Sequence, residues 1–496
     1  MPRANIGLIS GIALFAVLIL LPTPDGMPIA AKYVAAIAVL MAVFWMTEAI
    51  PIPATAMLPI FLYPLFGVMP GTQVTLSYAN HLIYLYMGGF LIAVTMEKWN
   101  LHKRIALQTI RLIGITPDRI VLGFMIATGF LSMWISNTAA SMMMVTIAMA
   151  VVSQIIREIQ ANDSISVDTS IGQFNFAAAL MLGIAYSASV GGVATLVGTP
   201  TNAVFAGIVE STFGITISLV DWMKIGFPLA VVMMFITWFL LVKVIYPSEI
   251  KHLPGGKEAI YREIELLGKM TKEEKMVLTV FLGVASLWLL RGFIKIDALS
   301  MVADSTIAVG GAVLLFIIPS NLKKREFLLD WDTAVKIPWD ILLLFGGGFA
   351  LATGFSETGL TNYMATRLTI LNGTSIFLMI PVIAAVIIFL TELTSNTATN
   401  SIMLPIMAAL AGAMSVHPFG LMITTTIAAS FAFMLPVATP PNAIVFGSRF
   451  INIDQMIKAG IWLNIIGIVL ISIVVLFLLP AVWNIDLTIN SLALSN

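Results

Sequence analysis

The 496-residue sequence contains no cysteine and few charged side chains. Without cysteine, disulfides and thiolate metal sites are excluded, although the compartment is not thereby fixed. Charged residues make up 10% of the chain and hydrophobic residues 59%, a balance incompatible with a soluble globular domain. The formal net charge is zero, which argues against nucleic acid as a partner. Nearly all of the chain is therefore expected to lie in a lipid bilayer.

The chain also lacks the side chains of an enzyme active site. It has four histidines, and they are scattered along the sequence. A membrane-embedded enzyme would need histidine, cysteine or paired carboxylates beside its polar motifs, and the motifs described below have none. We therefore expect a protein that is not an enzyme. The apolar stretch 6–21 lacks a convincing small-residue cleavage site, so it is predicted to be a retained first span.

What the chain does contain is an internal repeat. Gly88-Gly89-Phe90 returns as Gly347-Gly348-Phe349, and Ser136-Asn137-Thr138 returns as Ser395-Asn396-Thr397. Both pairs have an offset of 259 in residue number, and a constant offset favours duplication over coincidence. The glycines are interpreted as sites of close helix packing. Polar tripeptides duplicated within apolar stretches are typical of a transporter binding site.

Apolar runs of about twenty residues predict the membrane spans. Apart from the additional first span at 6–22, the two halves of the chain match element by element, and each half contains a broken region, a broken span and a plain last span. In the first half the elements lie near 6–22, 33–50, 53–69, 81–97, 120–156 (broken region), 175–214 (broken span) and 226–246. In the second half they lie near 276–294, 301–319, 341–357, 375–415 (broken region), 420–448 (broken span) and 459–482.

The two regions that contain Ser-Asn-Thr are predicted to be re-entrant hairpins. The arms on either side are about fifteen residues long, short for a hydrocarbon core ~30 Å thick. Non-helical backbone at this depth is tolerated only where protein or water covers it, which implies a cavity. Counted from 81–97, five spans precede the equivalent span at 341–357. Because this number is odd, the second half is expected to have the opposite orientation in the membrane. The predicted fold is an all-α polytopic membrane protein with about eleven transmembrane helices, two re-entrant hairpins and inverted repeats.

The placement of basic residues favours a cytoplasmic N-terminus and an outside C-terminus. With this topology, 20 of the 25 lysines and arginines lie on the inner side and 5 on the outer side, as the positive-inside rule requires. The charged stretch 248–275 becomes a solvated cytoplasmic connector that can be part helical, and the sequon at Asn372 lies outside. We expect a multi-pass protein of the cell membrane, in a bacterium the inner membrane.

A second pair of motifs breaks two later spans. Gly198-Thr199-Pro200-Thr201-Asn202 matches Ala438-Thr439-Pro440-Pro441-Asn442 at an offset of 240. The offset falls from 259 to 240 because the first half carries a polar insertion at 157–173, interpreted as a solvated loop. Proline removes an N–H and opposes helix continuation, so each motif is predicted to leave a helix end free in mid-membrane. Four broken elements would then converge on one point.

No lysine or arginine is expected at these motifs, because each basic residue is assigned to a membrane edge. The available donors are hydroxyls, Asn amides and the N–H groups of helix N-termini, which suit carboxylate or sulfate. Free carbonyls at helix C-termini suit sodium. A buried dianion is costly without cations, so the motifs predict sodium-coupled anion transport, and a channel suits them less well. Glu48 and Glu392 lie near span ends, where structural hydrogen bonding and ion or proton coupling both stay open.

The motifs lie within longer strings that resemble a known family. These strings are 131–138, 191–200, 391–399 and 433–447. They are similar to the divalent anion/sodium symporter family, which contains the sodium-coupled dicarboxylate and citrate carriers, and the resemblance covers almost the whole chain. One departure is Thr201, which stands where the family usually has proline.

The resemblance implies a substrate site and two sites for co-transported sodium ions. The substrate carboxylates would be held by Ser136, Asn137, Thr138, Thr199, Pro200, Ser395, Asn396, Thr397, Thr439 and Pro440. One sodium would lie near Ser132, Ser136, Asn137 and Gly198, and another near Thr391, Thr394, Asn396 and Ala438. Relatives that exchange dicarboxylates without sodium tend to carry arginine after Ser-Asn-Thr-Ala. This chain has Ala140 and Thr399 at those positions, so symport is favoured.

The resemblance also implies a homodimer that transports C4-dicarboxylates such as succinate, malate and fumarate by an elevator motion. Sodium-independent exchange stays open, as do citrate and sulfate as substrates. The implied division comprises N-terminal scaffold spans at 1–118, first-half transport elements at 119–246, a cytoplasmic connector at 247–275, second-half scaffold spans at 276–373, and second-half transport elements with the C-terminus at 374–496.

Overall fold

A computed structural model describes residues 3–114, 116–161, 167–170, 172–250, 256–293, 301–371 and 373–489. Within these ranges the ordered elements are helices, except for one two-stranded antiparallel sheet formed by β1 (Pro319–Asn321) and β2 (Glu326–Phe327). The sequon at Asn372, the loop at 162–166 and the C-terminal residues 490–496 lie outside the described residues. So do residues 251–255 of the predicted connector and Lys295.

Twelve helices form the first half of the described chain. They are α1 (Arg3–Leu20), α2 (Ile29–Thr47), α3 (Ile52–Ala56), α4 (Leu58–Leu65), α5 (Gly71–Ser77), α6 (His81–Lys98), α7 (Leu101–Ile113), α8 (Pro117–Ser132), α9 (Asn137–Gln160), α10 (Asn175–Val193), α11 (Pro200–Phe213) and α12 (Leu219–Phe239), which continues as a π-helix (Leu240–Ile245).

Twelve helices also form the second half of the described chain. They are α13 (Gly256–Leu267), α14 (Lys272–Phe293), α15 (Asp304–Ile317), α16 (Trp331–Ala334), α17 (Trp339–Glu357), α18 (Leu360–Arg367) with a 3₁₀ turn (Leu368–Leu371), α19 (Ile376–Thr391), α20 (Asn396–Met414), α21 (Pro418–Ala428), α22 (Pro440–Gly447), α23 (Ile453–Ile473) with a π-helix (Val474–Leu478), and α24 (Leu479–Trp483).

Many of these helices suit a membrane. In the described part of the chain, eight segments are long and apolar enough to cross a bilayer, or nine if α5 and α6, bent by 43°, are counted as one span. Four shorter apolar segments accompany them. The predicted span at 53–69 is one of these, because α3 ends at Ala56 and α4 restarts with Pro59 in its first turn, where proline is tolerated. The span predicted at 301–319 is the 14-residue α15.

The sequence repeat is a repeat of secondary structure. Helices α8 and α19 begin and end at the offset of 259, and α9 and α20 follow them at the same offset. Helices α11 and α22 begin at the offset of 240, each with proline in the first turn. The helices are interrupted at 133–136, 194–199, 392–395 and 429–439, and each interruption reaches one of the predicted motifs. The internal repeat is therefore confirmed at the level of helix boundaries.

Helix packing brings the broken elements of the two halves together. Within each half, the helix before Ser-Asn-Thr packs on the first part of the broken span, α8 on α10 and α19 on α21. Between the halves, α9 packs on α22 and α20 packs on α11. The helix after each Ser-Asn-Thr therefore contacts the second part of the broken span from the other half, which we call exchanged packing. All four breaks thus belong to one packed unit.

The glycine motifs act in helix packing, as predicted. A Cβ atom on Gly88 would lie 2.6 Å from the carbonyl carbon of Ala308 on α15. A Cβ atom on Gly347 would lie 2.5 Å from the carbonyl oxygen of Ala56 on α3. Real Cβ atoms do not approach backbone this closely, so glycine lets α6 and α17 contact their neighbours through the backbone.

Two helices outside the predicted spans join the halves. Helix α7 is amphipathic and occupies part of the predicted inner loop, and α13 lies within the predicted connector and packs on α7 and α9. Arg104 of α7 donates to the Glu274 carboxylate at 3.0 Å and to the carbonyl oxygens of Leu267 and Gly268 at 3.2 and 3.0 Å. The search for apolar runs missed both helices because only one face of each is apolar.

The segment that follows the sheet is tied to the end of α6 by a further ion pair. Lys98 Nζ lies 2.6 Å from Asp330, and the Trp99 indole donates to the Leu328 carbonyl at 2.8 Å. The hydrogen bond from Lys98 holds the pKa of the Asp330 carboxyl at about 2. Lys98 therefore stabilises the ionised form of Asp330 outside the apolar helices.

We predict that Arg104→Ala destabilises the protein by about 2 to 4 kcal/mol, because it leaves the Glu274 carboxylate buried without its cation. Arg104→Lys should cost less, since it keeps the charge and loses the fork of donors. Unfolding of the purified variants in detergent measures both effects. Lys324→Ala, at an exposed cation, serves as the control and should change stability by less than about 0.5 kcal/mol. Equal stability of Arg104→Ala and this control would contradict the prediction.

Candidate functional site

The first break lies between α8 and α9, at 133–136. Ser136 has an extended backbone and caps α9, accepting a hydrogen bond from the Ala139 N–H at 3.2 Å. Ser132, at the end of α8, donates to the Ala188 carbonyl oxygen at 2.8 Å and contacts the Asn137 side chain. With its amide nitrogen turned toward its acceptors, Asn137 also lies 3.3 Å from the Gly198 carbonyl oxygen. A hydroxyl, an amide and two backbone carbonyls therefore meet at this break.

The second break, at 392–395, reproduces this cluster. Thr391 ends α19 at the position equivalent to Ser132, and its hydroxyl donates to the Asn396 side-chain oxygen at 2.7 Å. The same hydroxyl lies 3.2 Å from the carbonyl oxygen of Ala429, in the break of the adjacent span. Each half therefore brings together one hydroxyl, one Asn amide and the carbonyl oxygens of a neighbouring helix.

The second cluster has one additional pair of hydroxyls. The Oγ1 atoms of Thr394 and Thr399 lie 2.6 Å apart, and the Thr394 hydroxyl also donates to the Leu390 carbonyl oxygen. Ala140 stands at the position equivalent to Thr399, so the first half cannot form this pair. The two clusters are similar but not identical.

The breaks in the two spans α10–α11 and α21–α22 are held by one asparagine each. The Asn202 amide donates to the carbonyl oxygens of Gly192 at 3.2 Å and Thr195 at 2.7 Å. The Asn442 amide donates to the carbonyl oxygens of Ala432 at 3.1 Å and Leu435 at 3.0 Å. Donors and acceptors are all related by the offset of 240. The same arrangement of one asparagine amide and two carbonyl oxygens, here called a clamp, therefore occurs in both halves. Sequence analysis placed both asparagines in the motifs without giving them this role.

A helix N-terminus follows each of the four breaks. Ser136, Thr199, Ser395 and Thr439 have extended backbones and precede α9, α11, α20 and α22. Pro200 and Pro440 occupy the first turns of α11 and α22, where the missing N–H costs nothing. The first turn of each helix has N–H groups without partners within the helix, and its end carries partial positive charge. Such ends suit an anion.

Thr201 and Asn400 connect the two halves at the site. The Thr201 hydroxyl lies 2.7 Å from the Ser430 hydroxyl, and the Asn400 amide donates to the Thr201 carbonyl at 2.8 Å. Thr201 is the residue that departs from the family pattern. Its hydroxyl gives a hydrogen bond across the repeat that proline could not make.

Glu392 is a structural hydrogen-bond acceptor. Its carboxylate accepts from three consecutive backbone N–H groups, those of Phe433 at 2.7 Å, Met434 at 2.9 Å and Leu435 at 3.0 Å. The Asn464 amide donates to it at 2.8 Å. With 2% of its surface exposed, Glu392 uses its charge to hold the break after α21. These contacts favour the structural alternative for this residue.

Four further residues from the sequence analysis have contacts or positions that do not test their predicted roles. Glu48 ends α2 in the left-handed conformation, and its N–H donates to the Phe44 carbonyl. Ala438 is buried, and its N–H donates to the Leu435 carbonyl at 3.2 Å. Thr138 is partly buried beside Asn137, and Thr397 is buried in the first turn of α20. Their roles as ligands stay predictions.

The expectation that no basic side chain reaches the motifs needs one correction. The Arg3 guanidinium donates to the Leu393 carbonyl oxygen at 2.9 Å, within the second break, and also contacts the Met46 carbonyl. Arg3 was assigned to a membrane edge from its position in the sequence. The two partners lie at opposite ends of the chain, and a local pattern carries no signal for such a contact.

The chain matches a family described as the sodium:sulfate symporter transmembrane region over residues 3–485. It is 45% identical to the sodium-dependent dicarboxylate transporter SdcS of Staphylococcus saprophyticus over 489 residues, 97% of this chain and 93% of that protein. It is 46% identical to the SdcS protein of Staphylococcus aureus strain USA300 over 485 residues, 97% of this chain and 92% of that protein. These relatives are transporters and not enzymes.

Two solved membrane transporters share the fold. MtrF of Neisseria gonorrhoeae, described as illuminating a class of antimetabolite efflux pumps, has a TM-score of 0.58 and 12% identity, covering 92% of this chain and 97% of MtrF. The YdaH transporter of Alcanivorax borkumensis, described as having an unusual topology, has a TM-score of 0.51 and 11% identity, covering 82% of this chain and 86% of YdaH. At these identities the likeness concerns the fold alone.

We predict that Asn202→Ala and Asn442→Ala each destabilise the protein by about 1 to 3 kcal/mol, because each removes two buried hydrogen bonds to carbonyl oxygens. The two losses should be similar, since the contacts match. Thermal unfolding in detergent tests this, with Gln154→Ala at an exposed amide as the matched control. A loss confined to one variant would contradict the equivalence of the two clamps.

Proposed function

The chain belongs to the family of the sodium:sulfate symporter transmembrane region, and we propose that it is a secondary active transporter that carries C4-dicarboxylates together with sodium. Relatives named sodium-dependent dicarboxylate transporters, at 45% and 46% identity over 97% of the chain, support sodium and a dicarboxylate as the two solutes. Succinate, malate and fumarate are the proposed substrates. The carrier is a multi-pass protein of a bacterial cell membrane, in keeping with the organisms of these relatives.

The observation that carries this proposal is the pairing of the breaks. Four helices are preceded there by Ser or Thr, and their N-terminal N–H groups suit carboxylate oxygens. Two ends from each half would match the two carboxylates of one substrate. The proposed substrate ligands are Ser136, Asn137, Thr138, Thr199, Pro200, Ser395, Asn396, Thr397, Thr439 and Pro440.

The two hydroxyl, amide and carbonyl clusters are the proposed sodium sites. Sodium is a hard cation that prefers oxygen ligands, and broken helices in transporters supply such ligands through free carbonyls. In the first cluster Ser132 and Asn137 already meet the Ala188 carbonyl. In the second, Thr391 and Asn396 meet the Ala429 carbonyl. The proposed ligand residues are Ser132, Ser136, Asn137 and Gly198 for one ion, and Thr391, Thr394, Asn396 and Ala438 for the other.

Bound sodium would also neutralise the negative charge of the substrate. The nearest basic group, Arg3, has much of its surface exposed to solvent, and a dianion at the breaks would otherwise be buried without neutralisation. Two sodium ions balance its charge. If a further ion moves with them, each net charge contributes ~2.3 kcal/mol per 100 mV of membrane potential. Transport would then be electrogenic and concentrative.

For the mechanism we propose an elevator motion of inverted repeats within a homodimer. The exchanged packing of α9 on α22 and α20 on α11 supports a single transport body made from 119–246 and 374–496. A second apolar core joins α2, α4 and α5 to α17 and also includes Ala398 of α20, so it supports the grouping of these helices in a scaffold made from 1–118 and 276–373 and their contact with the transport body. The re-entrant paths of α8–α9 and α19–α20, with a cytoplasmic N-terminus and an outside C-terminus, belong to the same proposal.

Uptake of radiolabelled succinate into liposomes that contain the purified protein tests the function. Inward gradients of sodium, potassium or protons are compared, each with and without unlabelled succinate inside. Accumulation driven by sodium alone supports symport. Uptake that does not depend on sodium and requires internal succinate indicates an exchanger. Uptake of labelled citrate or sulfate without uptake of labelled succinate moves the substrate assignment.

We predict that Asn137→Ala and Asn396→Ala each abolish sodium-driven succinate uptake, because each removes an amide shared by a proposed sodium site and a helix N-terminus. Initial uptake rates in liposomes measure the loss. Gln154→Ala, at an amide of α9 that bonds to Glu158 and Arg157, is the control with unchanged uptake. Full sodium-driven transport in either variant would overturn the assignment of the breaks as the site.

A further inference from the structure

Arg3 joins the ends of two helices that are far apart in the sequence. It is the first residue of α1, and its guanidinium contacts the carbonyl oxygens of Met46 and Leu393. Met46 lies in the last turn of α2, and Leu393 lies just beyond the end of α19. In the part of the chain that the structure describes, no other Lys or Arg side chain donates to the Ser-Asn-Thr breaks.

The charge and geometry of Arg3 suit both acceptors. Carbonyl oxygens at helix C-termini lack partners within the helix and carry partial negative charge, so a cation there is favourable. A guanidinium presents five N–H donors in a rigid fork and can serve two acceptors at once, which an ammonium does less well. Arg3 therefore holds the second break against the end of α2.

The first break is held at the equivalent position by a different contact. Leu393 precedes Ser395 as Trp134 precedes Ser136, so the two residues are related by the repeat offset of 259. The Trp134 ring is parallel to Trp288 of α14 at 6.3 Å and meets the edge of Phe281 at 5.4 Å. Both α1 and α14 lie outside the four broken elements. Each break is thus anchored, at the same position of the repeat, to a helix of the proposed scaffold.

We propose that Arg3 is a positioning residue for the second break. By fixing the Leu393 carbonyl against α2, it holds the turn that presents Ser395, Asn396 and Thr397 to the substrate. The inference rests on the proposed function, because it adds a residue to the same site. Arg3 has no direct contact with these three side chains and acts through the backbone of the break.

The kinetic test uses Arg3→Ala, Arg3→Lys and the control Lys324→Ala in liposomes. Arg3→Ala should raise the KM for succinate about fivefold, as expected for an exposed, charge-assisted contact, and leave the maximal rate within about twofold of wild type. Arg3→Lys should give an intermediate KM, because one carbonyl can still be held. An unchanged KM in Arg3→Ala, or a fall in maximal rate with unchanged KM, overturns the proposal. Wild-type uptake is measured alongside, so a failure of the proposed function is seen separately.

A geometric test is independent of transport. Since the natural chain has no cysteine, Arg3→Cys combined with Leu393→Cys creates the only two thiols. Both positions have exposed side chains, and a short bifunctional maleimide should join them in membranes. The pair of Arg3→Cys with Thr146→Cys, an exposed residue of α9, should not be joined. Absence of the first cross-link, with both thiols reactive toward a single maleimide, also overturns the proposal.

Discussion

Every break in an apolar helix frees backbone groups that lipid cannot satisfy, and the rest of this structure depends on satisfying them. Asparagine amides supply donors to the carbonyls that precede α11 and α22. Tyr86 donates to the Thr199 carbonyl at 2.9 Å, and Trp222 donates to the Val193 carbonyl at 2.8 Å. The polar side chains around the breaks are therefore of two kinds: those that bond to the backbone and those that are proposed to bind solutes.

The two halves satisfy the same requirement with different chemistry. In the second half the Glu392 carboxylate accepts three backbone N–H groups. The equivalent residue in the first half is Met133, whose carbonyl oxygen accepts a hydrogen bond from the Thr195 hydroxyl at 2.6 Å. One break is thus tied by a buried charge and the other by a neutral bond. An internal repeat preserves the backbone path while its side chains diverge, so the two proposed sodium sites need not have equal affinity.

The broken helices could be predicted because their causes are local and occur twice. Proline at 200 and 440 lacks the N–H that a helix interior uses and is best tolerated in a first turn, and the constant offset made coincidence improbable. The search for apolar runs did not identify amphipathic α7 and α13, because it averages over both faces of a helix. The hydrogen bond between Arg3 and Leu393 could not be predicted from the sequence, because the tertiary fold alone brings its partners together. For Glu392, the sequence left two roles open until its four donors were seen.

The exchanged packing of the halves has a consequence for biosynthesis. Asn137 begins α9, whereas its partner helix α22 begins only at Pro440, in the last part of the chain. At ordinary rates of translation the interval between them lasts about 15 to 60 s. During that time the first half has entered the membrane with the face of α9 that will meet α22 still unpartnered. Lipid cannot satisfy the polar turn that precedes α9, so the insertion machinery or water must cover it until the last part of the chain arrives.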